Sequence, residues 1–134
     1  MALVWSLVFG FFSDRLHRVT VMAVAFAFAT LGYGALAFTA DPGAPEARWV
    51  LVLLGIGQAS AILAPALLLS QEAPPALRGS TFGFQALFGG LGILAISLAG
   101  GQLFDSVGPA APFSVMATAN ALIVIAALVV RRLP

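Results

Sequence analysis

Charge is what this sequence has least of. Only 8% of its 134 residues are Asp, Glu, Lys or Arg, where a soluble domain carries about 25%. A surface so poor in charge cannot cover itself in water, and with 61% hydrophobic residues the expected solvent is a lipid bilayer. The net charge of +1 excludes the basic footprint that nucleic-acid binding needs. Cysteine is absent, which excludes disulfides and thiolate metal sites. Lysine is absent too, so all 6 basic residues are arginines. The one histidine, His17, has no Ser/His/Asp set or ligand cluster at catalytic or metal spacing, so neither an enzyme nor a metal or cofactor is expected. A signal peptide is not expected either, because the amino terminus lacks a positive flank and a small-residue cleavage site.

Long apolar runs are what the chain has instead. They cover residues 19–40, 49–70, 79–104 and 110–130. Each exceeds the ~20 residues of a spanning helix, and none holds a charged side chain in its interior. In lipid a segment must satisfy its own backbone hydrogen bonds, so these runs should be helices. A shorter run over residues 1–12 reaches roughly half of a ~30 Å hydrocarbon core and is expected to be a truncated first span. The fold class that follows is all-α: a polytopic transmembrane helix bundle in a single membrane domain, 1–134.

The charges fall between the spans. Asp14, Arg15 and Arg18 mark the first loop; Asp41, Glu46 and Arg48 the second; Glu72 and Arg78 the third; Asp105 the fourth; and Arg131 and Arg132 the tail. Alternate sides carry five arginines against one, so the positive-inside rule places the first loop, the third loop and the carboxyl tail in the cytoplasm. Proline and glycine in Asp41-Pro-Gly-Ala-Pro45 and Asp105-Ser-Val-Gly-Pro109 break the outer turns. Trp49 falls at a boundary suited to an interfacial indole.

Small and polar residues within the spans suggest how the helices are used. Gly79, Gly83, Ala86, Gly90, Ser97 and Gly101 fall within roughly 40° of one helical line, a stripe that lets another backbone approach closely. A weaker stripe, Ala23, Ala27, Thr30 and Gly34, lies along the apolar run 19–40. Pro65 removes the usual donor to the carbonyl of Ala61, and Gln58, seven residues earlier, lies on nearly the same face. A kink beside a polar group suits a transport cavity; a tolerated proline with its amide bonded to a neighbouring helix suits the same residues. Gln58, Ser60, Gln85 and Asn120 are costly at membrane depth unless used or paired, which makes them, with Pro65, the candidate substrate path. Interhelical hydrogen bonds account for them equally well.

The first loop resembles the cytoplasmic loop signature of the major facilitator superfamily. In Gly10-Phe-Phe-Ser-Asp14-Arg15-Leu-His17-Arg18-Val19 the residues Gly10, Asp14, Arg15 and Arg18 match in register, while His17 stands at a usual glycine and Val19 at a usual basic residue. Glu72-Ala-Pro-Pro-Ala-Leu-Arg78-Gly79 is similar to the family's other cytoplasmic loop, and the likeness continues through Gly100-Gly101-Gln-Leu-Phe-Asp105 and Gly108-Pro-Ala-Ala-Pro-Phe113. It implies a partial major-facilitator fold, with these segments as helices eight to twelve of a twelve-helix plan. Helices two to six are the rival placement, but Ile96 and Ser97 occupy places where a Gly-Pro pair is common there, and the short tail suits a carboxyl terminus.

The resemblance further implies a secondary transporter that moves a small solute by alternating access. Gly10, Asp14, Arg15, Arg18, Glu72, Arg78 and Gly79 would form its gating loops, latched against a missing amino-terminal half. On physical grounds Asp14 can cap a helix or meet its dipole, and Arg15 and Arg18 can pair with Glu72 or hold lipid phosphates. In a simpler account these charges set topology alone. The expected location is a bacterial cytoplasmic membrane, with no transport by these residues alone. The alternative is a non-transporting remnant or a small helix-packing subunit of a larger membrane complex. A compact dimeric exporter would require an intramembrane glutamate, and there is none.

Overall fold

A computed structural model describes residues 2–13, 15–39, 41, 43–45 and 47–132. Five α-helices run through it in sequence: α1 (Ala2–Ser13), α2 (Arg18–Ala37), α3 (Ala47–Glu72), α4 (Arg78–Ser106) and α5 (Ala111–Arg132). A single 3-10 turn, Pro75–Leu77, joins α3 to α4. No strand is present among the described residues. Helices α2 to α5 are long and apolar enough to cross a membrane, as the four apolar runs predict, and α1 is the short helix ahead of them.

Helix ends differ from the apolar runs for a physical reason. Hydropathy stops where charge begins, but the hydrogen-bond ladder continues into water, so α3 takes in Arg48 and Glu72 and α5 takes in Arg131 and Arg132. With 20 residues in α2 and 29 in α4, their lengths are roughly 30 Å and 44 Å. Helix α3 stays continuous through Pro65. Between α4 and α5 the chain turns at Gly108, whose φ of +130° suits a residue without a side chain. The N–H groups of Val107 and Gly108 both donate to the Leu103 carbonyl there, at 2.9 and 3.1 Å.

Helix α2 is the centre of the bundle, packed against α3 on one side and α5 on the other. Its contact with α3 is made backbone to backbone. A Cβ added to Gly57 would lie 2.6 Å from the Cα of Ala29, and one added to Gly32 would lie 2.6 Å from the Cα of Leu54. Ala25, Ala29 and Gly32 on α2 and Gly57, Ser60 and Ala64 on α3 are all buried. Spacings of three and four keep each set on one helix face. At one end of this seam Phe9, Val21, Ala25 and Ala64 form the core cluster, with Trp5, Phe26 and Leu67 packed around it.

Helix α4 is placed quite differently. It touches α3 and α5 lightly, and none of its residues is buried.

Candidate functional site

Two groups of polar residues are positioned by this fold. The first lies where α1 turns into α2 and α3 ends. Ser13 closes α1 by donating its hydroxyl to the Gly10 carbonyl at 2.7 Å. His17 then precedes α2 in extended backbone, and its carbonyl accepts from the N–H of Thr20 at 2.8 Å. This geometry sets Arg18 on the first residue of α2, where its guanidinium pairs with Glu72, the last residue of α3. It is the one ion pair among the described residues. Both side chains are about half exposed, at 48% and 56%, so water and salt screen the attraction.

Helix dipoles give that pair a particular logic. A cation at a helix N-terminus and an anion at a C-terminus each oppose the dipole of their own helix. Because α2 begins beside the end of α3, each charge is set near the favourable end of its neighbour. The pair therefore ties the two helices together more than it stabilises either one. Nearby, the Arg15 guanidinium lies 4.9 Å from the centre of the Phe11 ring, a cation–π contact. Arg78 donates from Nε to the Ala73 carbonyl at 3.3 Å, fixing the turn that leads into α4. Gly10 and Gly79 have open space where a side chain would stand. Asp14, on which the loop signature partly rests, lies outside the described residues, as does Glu46 of the second loop.

The second group is spread along the apolar helices, with its interhelical hydrogen bonds between α1, α2 and α3. Ser60 is fully buried, accepts a hydrogen bond from the Trp5 indole at 2.8 Å and donates to the Ile56 carbonyl at 2.9 Å. The Trp5 ring also meets Phe28 edge-on, at 5.9 Å between centroids. Gln58 stands on the exposed side of α3, where its Oε1 accepts from the Tyr33 hydroxyl of α2 at 3.0 Å. Asn120 is buried on α5 and donates to the Met116 carbonyl of its own helix at 2.7 Å. Gln85 is half-buried on α4. Pro65 is half-buried in α3 two turns beyond Gln58.

The predicted site residues therefore meet only in part. Arg18 and Glu72 come together, whereas Gln58 and Ser60 lie on opposite sides of α3 with different partners, and Gln85 and Asn120 sit on other helices and bond to neither. Gly83, Gly90 and Gly101 of the α4 stripe have nothing within 4 Å of an added Cβ, and Ala86 and Ser97 are exposed. Among the described residues that stripe packs against no helix. Thr30 and Gly34 of the weaker stripe line an open groove shared with Ala117 and Ala121 of α5. Sequence reasoning missed Trp5, Tyr33 and the tight contacts at Gly32 and Gly57. For Gly57 there was a faint signal, the small-residue stripe Gly57-x-x-Ser60-x-x-x-Ala64, but nothing in it names the opposing helix.

No group of three or more His, Cys, Asp or Glu that would hold a metal ion occurs among the described residues. The sequence profile described as Major Facilitator Superfamily matches residues 1–134.

The chain belongs to that family.

Over 112 residues it is 32% identical to the magnetosome protein MamZ of Paramagnetospirillum magneticum, covering 84% of this chain and 17% of that protein. It is 31% identical to MamZ of Magnetospirillum gryphiswaldense over the same shares. To magnetosome protein MamH of P. magneticum it is 32% identical over 84% of this chain and 26% of that protein. The chain thus spans about a quarter or less of the length of these curated relatives. No solved structure matches it. Major Facilitator Superfamily membership and four helices of spanning length make this an integral membrane protein, of a family made up in general of transporters rather than enzymes.

Proposed function

We propose that these helices belong to a secondary transporter that moves a small solute by alternating access, and that they are helices eight to twelve of its twelve-helix plan. The observation that carries this is the Arg18–Glu72 pair. It fastens the signature loop to the second family-like loop at one end of the bundle. A half-exposed pair of this kind contributes about 0–1 kcal/mol, weak enough to break and re-form within a transport cycle. Gly10, Asp14, Arg15, Arg18, Glu72, Arg78 and Gly79 are the gating loops in this scheme. The arginine bias supports a cytoplasmic position for them and for the carboxyl tail, in a bacterial cytoplasmic membrane.

Gln58 supplies the substrate path, with Pro65 loosening α3 below it, whereas Ser60 ties α3 to α1 through Trp5 and Asn120 is satisfied within its own helix. The bare stripe of α4, with Gly83, Ala86, Gly90, Ser97 and Gly101, is a packing surface for the first half of the transporter. The stretch is free of cysteine, which makes a single reporter cysteine straightforward to read. Gly55 is exposed, one turn from Gln58 on the same side of α3, with nothing within 4 Å of an added Cβ. In the full-length protein, Gly55→Cys should react with a membrane-impermeant maleimide, and Arg18→Ala should raise labelling from the cytoplasmic side. A thiol labelled from neither side would put this face in lipid and defeat the assignment.

A further inference from the structure

An amide at membrane depth offers two chemistries, an acceptor oxygen and a donor nitrogen, and the structure shows which one is already taken. The Gln58 oxygen accepts the Tyr33 hydroxyl at 3.0 Å. Its nitrogen has no hydrogen-bond partner among the described residues, and the side chain is exposed rather than buried. We infer that Tyr33 orients Gln58 so that its amide N–H groups grip a hydrogen-bond-accepting oxygen of the solute, a carboxylate or a neutral carbonyl. This rests on the transporter reading above and names the chemistry of that same path.

Three observations converge on it. Gln58 lies 11 residues after the start of α3 and 14 before its end, close to the middle of a spanning helix, where transporter sites are found. It shares one side of α3 with Leu51, Gly55 and Ile62, all exposed at spacings of three and four. The opposite side, with Gly57, Ser60 and Ala64, is committed to packing. Finally, no acid occurs within the apolar runs 19–40, 49–70, 79–104 and 110–130, so α3 presents nothing at the level of Gln58 to neutralise a cation, whereas two free N–H donors complement an oxygen acceptor.

Tyr33 acts through Gln58 and is a positioning residue. A glutamine with a free amide rotates, and each wrong rotamer presents the oxygen, which repels an acceptor. Fixing the oxygen on a second helix removes that freedom before the solute arrives, and the hydrogen bond also ties α2 to α3 at the binding level. Were the pair only glue between helices, Tyr33→Phe would lower stability and leave solute binding unchanged.

The test uses the full-length protein in proteoliposomes with Gly55→Cys as reporter, and reads how far each probe slows maleimide labelling. The probes are acetate, acetamide and tetramethylammonium, which carry a carboxylate, a neutral carbonyl and no acceptor. Acetate or acetamide should protect the thiol, and which one does so identifies the form of the acceptor. Gln58→Leu should weaken that protection by about tenfold and Tyr33→Phe by about threefold, the range for loss of one or two uncharged hydrogen bonds. Gln58→Met, nearer in shape, serves if the leucine variant does not fold. Protection by tetramethylammonium alone, or by no probe on a readily labelled thiol, overturns the inference and leaves the transport path standing. Protection that survives both substitutions also overturns it. A thiol that never reacts defeats the transport path itself, so the two failures are distinct.

Discussion

The α2–α3 seam and helix α4 are built from the same kind of residue and reach opposite ends. Helix α4 has seven glycines, yet none of its residues is buried. The seam has few, and two of them, Gly32 and Gly57, touch opposing backbone so closely that no Cβ fits. A small residue lowers the surface of a helix; it does not supply the ridge that fills the hollow. On α2 that ridge is the backbone at Phe28 and Ala29, and on α3 it is Leu53 and Leu54. Against the α4 stripe the described residues offer none. The pattern therefore marks where a helix can be approached and does not by itself supply the partner.

The largest expected effect lies in the seam. Gly57→Ala would place its Cβ 2.6 Å from three backbone atoms of Phe28 and Ala29, which cannot rotate away as a side chain would. The helices must separate, at a cost of about 3 kcal/mol, the upper part of the usual range for overpacking. Unfolding of the full-length protein in mixed micelles measures it, and a loss under about 1 kcal/mol would mean the contact is looser than described. Next comes Ser60→Ala, which leaves the N–H of the half-buried Trp5 without its acceptor. That substitution should cost about 2 kcal/mol, and adding Trp5→Phe should recover part of it, because an unpaired donor is worse than none.

Helix α4 gives a smaller effect of informative sign. An exposed helix gains about 0.5–1 kcal/mol from Gly→Ala. If the first half of the transporter packs on the stripe, Gly90→Ala should instead lose about 1 kcal/mol in the full-length protein. A gain would leave α4 facing lipid and remove the proposed surface between halves.

How far the chain was legible follows from the same contrast. Helix number and placement came through because bilayer thickness and the absence of buried charge bear on each segment separately. Arg18 with Glu72 was legible because both are polar groups stranded beside greasy runs, with few partners to choose from. The close contacts at Gly32 and Gly57 were not, since contact is a property of two helices and many small residues compete for it. The six residues of the α4 stripe made the more regular pattern, and the less regular Gly57-Ser60-Ala64 face is the one that packs. Tyr33 was hidden for a different reason: an aromatic in an apolar run reads as filling, and its hydroxyl matters only once Gln58 is opposite.

The ion pair at the loop end should have the smallest energetic effect. Arg18 and Glu72 are each about half exposed, so Arg18→Ala or Glu72→Ala should cost no more than about 1 kcal/mol, and 1 M salt should remove most of the coupling between them. Exchanging the charges, Arg18→Glu with Glu72→Arg, separates the contributions. The exchanged pair still attracts, but each charge now favours its own helix dipole and opposes its neighbour's. Stability should therefore stay within a few tenths of a kcal/mol of the native protein. Single substitutions should shift cysteine accessibility at Gly55→Cys and the exchange should restore it, because a latch depends on attraction and not on which side carries which sign. A loss above about 3 kcal/mol on Arg18→Ala would instead reveal a desolvated structural pair, as fixed in place as the seam beside it and unsuited to opening in every cycle.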